Sequence, residues 1–147
     1  MKFEKFVKKA MPHATTITVD NDDYLAYGHV FAKIPKWAGS LGILSDKDET
    51  LLNVLNNFTW GEDEAEISKA YLPTPNAKAK EIIREFSDGE VYVGITNEEF
   101  ALIESHDMLV VALDEETGNA ALLVGKRASM DDFEPEAIIL DVNFKED

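Results

Sequence analysis

The sequence predicts an α+β fold, an antiparallel meander with two or three helices packed on it, and three observations carry that expectation. Apolar residues recur at helical spacing in three short stretches, most clearly Ala79, Ile82, Ile83 and Phe86 at i, i+3, i+4 and i+7. Val91, Val93 and Ile95 alternate with Tyr92, Gly94 and Thr96, the period-two pattern of a strand with one buried side. Turn residues then punctuate the chain often enough to fold the following segments back on their neighbours, so that strands pair locally.

Taken in order, Phe3, Phe6, Val7 and Ala10 give a first short helix ended by Met11-Pro12, because proline cannot continue the helical ladder. Thr15 to Val19 is β-branched and reads as a strand, Asp20-Asn21-Asp22-Asp23 as a turn, and Tyr24 to Ile34 as a longer strand interrupted by Gly28. Together these make a hairpin. Pro35 to Ser45 reads as a loop anchored by Trp37, and Ser45 or Asp46 can cap a helix whose core face is Leu51, Leu52, Leu55 and Phe58. After an acidic turn at Gly61 to Glu64, Ala65 to Leu72 is a strand leading into the central helix. That helix is expected over Asn76 to Phe86, started by Thr74-Pro75 and stopped by Ser87-Asp88-Gly89. Asn97-Glu98 reads as a turn, Phe100 to Glu104 as a strand, His106-Asp107 as a turn and Met108 to Leu113 as an apolar strand. Thr117-Gly118-Asn119 turns the chain into Ala120 to Gly125. Ala128 to Glu136 reads as a polar loop carrying Phe133 and Pro135, Ala137 to Val142 as the closing strand, and Asn143 to Asp147 as a frayed tail.

At 147 residues the chain is expected to form one α+β domain over residues 1–147, large enough to bury roughly 68–70% of its unfolded surface. With 45% hydrophobic residues it folds rather than staying disordered. The lack of cysteine excludes a disulfide scaffold and a thiolate zinc site. No apolar run approaches the roughly 18 residues of a membrane span. Met1 to Phe6 lacks the apolar core of a secretory signal, so the expectation is a cytoplasmic protein with no membrane association.

The net charge of -15 argues against a protein that wraps nucleic acid with its whole surface, since phosphate binding draws on clustered Lys and Arg. The charge is uneven, however. Residues 1–12 hold Lys2, Lys5, Lys8 and Lys9 against Glu4 alone, and the expected central helix carries Lys78, Lys80 and Arg84 against Glu81 and Glu85. Seven of the 14 basic residues thus sit on two short stretches, which is either an ordinary solvated helical face or a locally positive surface on an acidic body.

No constellation of residues specifies catalysis. Asp20-Asn21-Asp22-Asp23 begins like a calcium loop but has Leu25 at the sixth position and Phe31 at the twelfth, and Asp46-Lys47-Asp48-Glu49 fails at the same places, so a turn and a helix cap are the better readings. His13, His29 and His106 lie far apart with no helical pairing. Gly39-Ser40-Leu41-Gly42 lacks the lysine of a phosphate loop, and no serine sits in a nucleophile elbow. No metal and no cofactor is expected, and a non-catalytic role is favoured over an enzyme. Trp37, Trp60 and Phe133 are each either a core edge or an anchor for a partner protein, with Asp131 to Glu136 the best segment for such a contact.

Two resemblances follow from particular segments. Met1-Lys2-Phe3-Glu4-Lys5 with Pro12-His13, Phe31-Ala32-Lys33-Ile34-Pro35, Phe86-Ser87-Asp88, Gly94-Ile95-Thr96-Asn97 and Asp132-Phe133-Glu134-Pro135-Glu136 resemble segments of small acidic phage and prophage proteins of Gram-positive bacteria, a family with no established activity. The order of strand 65–72, helix 76–86 and three strands is similar to the unit repeated in DNA sliding clamps, whose basic helices line a channel inside an acidic body. The resemblances imply a non-catalytic phage protein in the host bacterial cytoplasm, a clamp-like accessory in DNA metabolism, with Lys5, Lys8, Lys9, Lys78, Lys80 and Arg84 facing phosphate. Two other readings stay open: an acidic mimic of nucleic acid that inhibits a host defence protein, and a small-molecule enzyme or sequestering protein. The partner is either DNA or a protein, and homo-oligomerisation is left open.

Overall fold

The computed structural model describes residues 1–11, 13–19, 21–36, 49–61, 63–127 and 133–145. Its centre is made by three strands, Met108–Leu113 (β8), Ala120–Arg127 (β9) and Phe133–Leu140 (β10). The run Ala120 to Gly125 is buried throughout, as a strand covered on both faces requires. These strands lie in a seven-stranded antiparallel sheet with Thr15–Val19 (β1), Asp22–Tyr27 (β2), Val30–Lys33 (β3) and the short Thr59–Trp60 (β4), in the order β1-β2-β3-β10-β9-β8-β4. Glu66–Tyr71 (β5), Ile83–Ser87 (β6) and Tyr92–Thr96 (β7) form a second, three-stranded antiparallel sheet. Three helices complete the described chain: Phe3–Ala10 (α1), Glu49–Asn57 (α2) and Asn97–Phe100 (α3).

Strand alternation divides the interior into two layers. One face of the large sheet, through Leu25, Val111, Leu122 and Ile139, packs against Phe6 of α1 and Phe86, Val93 and Ile95 of the small sheet. The other face, through Tyr24, Phe31, Val110, Leu123 and Ile138, packs against Leu51, Val54 and Phe58 of and just after α2. Each such fully buried apolar side chain contributes about 1.5–3 kcal/mol relative to exposure. The sheets are also joined along an edge: Val142 donates its N–H to Gly94 O at 3.0 Å, and Gly94 donates to Asp141 Oδ1 at 2.7 Å. The chain is thus of the α+β class, with an antiparallel meander and, among the described residues, three helices.

Several elements differ from expectation for identifiable reasons. The central helix over Asn76 to Phe86 is a 3-10 turn at Ala79–Glu81 followed by β6, with Ile82 already extended at φ -57°, ψ 138°. Eleven residues make a marginal helix alone, whereas Ile83 and Phe86 are residues a strand favours and find partners on both sides, β5 and β7. Residues 66–96 therefore run strand, turn, strand, strand. Ser87-Asp88-Gly89, the expected helix stop, is a hairpin turn in which Asp88 Oδ1 accepts the N–H groups of Glu90 and Val91 at 2.9 and 3.0 Å. The strand expected over Tyr24 to Ile34 is two strands. Tyr27 pairs with Val30 across Gly28-His29, and Gly28 at φ 61° takes the first central position of a two-residue hairpin.

The expected strand Phe100 to Glu104 begins inside α3, whose start is a capping box: Thr96 Oγ1 accepts the Glu99 N–H, and Glu99 Oε1 accepts the Thr96 N–H. In α2, Leu52 is exposed and Val54 takes its place in the core. Phe133 to Glu136 belong to β10 rather than to a loop, and the tail is tied down as far as Lys145, whose N–H donates to Asn119 Oδ1 at 3.0 Å while Phe144 stacks on Phe58.

Candidate nucleic-acid interface

Because α1 turns Phe6 and Ala10 into the core, Lys5, Lys8 and Lys9 are left on its outer face. The basic residues of the second stretch come to the same region by way of α3. Lys9 Nζ donates to Glu98 Oε2 at 2.6 Å, and the charge of Lys80 also acts on Glu98. The Arg84 guanidinium lies 4.2 Å from the centroid of the Phe100 ring and donates to Asn97 Oδ1. The four residues of α3 thus bring together Lys9 and Arg84 from two separate elements, within reach of the Lys80 charge. Lys5 and Lys8, with Met1, Lys2, Glu4 and Glu104, line a shallow groove farther along α1.

The hydrogen bond from Lys9, then its charge and that of Lys80, hold the Glu98 carboxyl below the usual range. A depressed carboxyl stabilises the fold above its unfolded pKa, and that contribution is lost as the pH falls through the lowered value. With Glu98 73% exposed, solvent screening keeps the effect small. Of the six basic candidates, Lys9 and Arg84 are occupied by protein groups, while Lys5, Lys8, Lys78 and Lys80 make no ion pair among the described residues.

The cap of α3 sets this arrangement, so Thr96→Ala is expected to cost about 1 kcal/mol of stability. Urea unfolding checks it, with Thr96→Ser retaining nearly all of that contribution because its hydroxyl can make the same bond. An alanine variant as stable as the parent would mean that the cap contributes nothing here.

The other candidates are dispersed. Trp60 stands on the edge strand β4 and is 42% exposed, Phe133 is partly buried against the α2-side core, and Trp37 lies outside the described residues, as do Asp131 and Asp132. Asp22 pairs with Lys33 at 3.3 Å, and Asp23 accepts from Thr18 Oγ1, so these two acids, expected in a turn, open β2 and make contacts between strands. Asp20 and Asp46 to Asp48 lie outside the described residues. His106 Nε2 is 3.3 Å from Glu104 Oε2, whereas His13 and His29 line one recess. No group of three or more potential metal ligands occurs among the described residues, and no described helix is long and apolar enough to cross a membrane.

One feature had a faint sequence signal and another had none. Thr96-Asn97-Glu98-Glu99 matches the spacing of a capping box, from which α3 could have been read. The burial of Asp107 beneath the Met1 amine had none, since the two are brought together only by the fold.

No protein-family model matches this chain, and neither does any curated protein or solved structure.

Proposed function

We propose that this is a non-catalytic binding protein of phage or prophage origin that contacts DNA phosphates as an accessory in DNA metabolism. The observation that supports it is the Lys9–Glu98 ion pair, which ties the basic face of α1 to α3, the helix on whose Asn97 and Phe100 the Arg84 guanidinium also lies. The reading no longer draws on a basic helix at residues 76–86, because the side chains that helix was to carry sit on a turn and a strand. Lys5, Lys8, Lys78 and Lys80 are the cations available to phosphate, and the acidic remainder of the body confines the nucleic acid to their face. Lys9 and Arg84 frame it.

Fluorescence anisotropy with a labelled oligonucleotide tests this directly. Affinity should fall steeply between about 50 and 200 mM salt, and the salt slope should lose about one unit for each phosphate contact removed. Lys5→Glu with Lys8→Glu, and separately Lys78→Glu with Lys80→Glu, should each weaken binding about tenfold or more. No binding at low salt, or variants that bind like the parent, would overturn the proposal.

A second reading has its own support. Asp63, Glu64, Glu90, Glu115 and Glu116 are exposed around the turns, where carboxylates could stand in for phosphates and occupy a basic groove on a host defence protein. It expects no DNA binding, and salt-sensitive capture of a basic protein that survives nuclease treatment.

A further inference from the structure

We infer that the nucleic acid held by this face is single-stranded, and that one unstacked base enters the recess beside the turn between β2 and β3. This rests on the DNA-binding reading above and names the form of DNA. The recess has a volume of about 560 Å³ and is lined by His13, Thr15, Tyr27, His29, Phe31 and Phe144 among others. That is within the range of about 300–1,000 Å³ of small-ligand sites. Among the described residues, its lining holds no carboxylate, lysine or arginine. In a chain where acids outnumber bases 29 to 14, those lining residues present the uncharged part of a polyanion with no like charge.

Its chemistry suits a base. Tyr27 is 36% exposed at the rim and offers a ring for stacking, while the imidazoles and the Thr15 and Tyr27 hydroxyls provide both donors and acceptors to a base edge. The floor is apolar, through buried Phe31 and Leu140. The rim is fixed in place: Tyr27 pairs with Val30, and the His29 carbonyl accepts the Leu140 N–H at 2.9 Å.

The recess also connects to the basic surface. Tyr27, Gly28 and His29 line a smaller depression on their other side together with Lys9, Glu98 and Glu99. Both of those carboxylates are engaged, Glu98 by Lys9 and Glu99 by the Thr96 N–H. A nucleic-acid strand whose phosphates follow α1 therefore reaches the turn with no free carboxylate among the described residues of that depression. A base can enter only if it is out of its stack, which a single strand permits and an intact duplex does not.

The experiment compares three labelled probes of equal length: a single strand, its duplex, and a single strand with abasic positions that keeps every phosphate. Base–aromatic stacking predicts that the normal single strand binds about tenfold tighter than the abasic one. Tyr27→Ala should bring the single strand down to the abasic affinity and leave the duplex unchanged, and Tyr27→Phe should retain the preference. His29→Ala, checked for an unchanged unfolding midpoint, should also reduce it. Equal binding of normal and abasic strands, unaltered by Tyr27→Ala, would overturn the inference while leaving phosphate binding standing. Failure of all three probes to bind would overturn both.

Discussion

Gly125→Ala should destabilise the protein by about 3 kcal/mol, the upper end of what overpacking costs. A Cβ built on Gly125 comes 2.1 Å from the Glu134 carbonyl oxygen and 3.0 Å from its carbon, distances that require the neighbour to move. That neighbour is backbone, so no rotamer change relieves the contact. The strand cannot shift away easily either, since Gly125 of β9 faces Met108 on one side and Pro135 on the other. The close approach coincides with the register shift between Pro135 and Ala137, where β10 carries an extra residue and bends toward its partner. Pro135 has no N–H to give to the ladder, and the bulge is where a central sheet tolerates that. Urea unfolding of Gly125→Ala should show a lower midpoint with an unchanged slope. Gly61→Ala is the control: nothing lies within 4 Å of its Cβ, so its effect should fall within about 0.5 kcal/mol. Equal effects at the two positions would mean that β9 and β10 are not in close contact there.

What could be read from the sequence was set by whether a segment's pattern is decided locally. Phe3 to Ala10 has one apolar face and little else for its residues to do, and it is α1; Thr15 to Val19 and Met108 to Leu113 are strands with the expected bounds. Residues 79 to 86 carried a pattern that pointed to the wrong structure. Ala79, Ile82, Ile83 and Phe86 mark a helical face and show no period-two alternation, since Ile83 and Phe86 fall on opposite faces of a strand, and the pairing with β5 and β7 overrides the local signal. No local signal reports such nonlocal partners. Gly28 was legible as a breaker but not as a reversal, because a bulge and a two-residue hairpin both call for glycine. For the candidate interface, the uneven distribution of Lys and Arg was visible in the sequence. That Lys9 meets Glu98 of α3, and that Tyr27 and His29 line two recesses at one turn, depends on the packing of α1 and α3 against the end of β2.

Asp107→Asn is the second substitution expected to have a large effect, about 3 kcal/mol, because it removes the charge of a fully buried carboxylate from the amine it pairs with. The Asp107 side chain is fully buried, and its Oδ2 lies 2.7 Å from the amine of Met1, a residue that is partly buried. The same carboxylate accepts the Glu104 N–H at 2.8 Å, and the amine has two more distant carboxylates, Glu104 at 3.7 Å and Glu136 at 3.8 Å. Asparagine keeps the shape but removes the charge, and those outer acids, being partly exposed, compensate only in part. The pair also fixes the start of α1: Lys2 donates its N–H to Leu102 O at 2.7 Å beside it, so loosening Met1 should disturb the face bearing Lys5 and Lys8. A double-mutant cycle separates the ion pair from general damage. In protein with residues added ahead of Met1, the amine becomes an uncharged amide, and Asp107→Asn should then cost much less than in protein that begins at Met1. If the two costs are equal, the effect belongs to the hydrogen bond with Glu104 and the ion pair contributes nothing to stability.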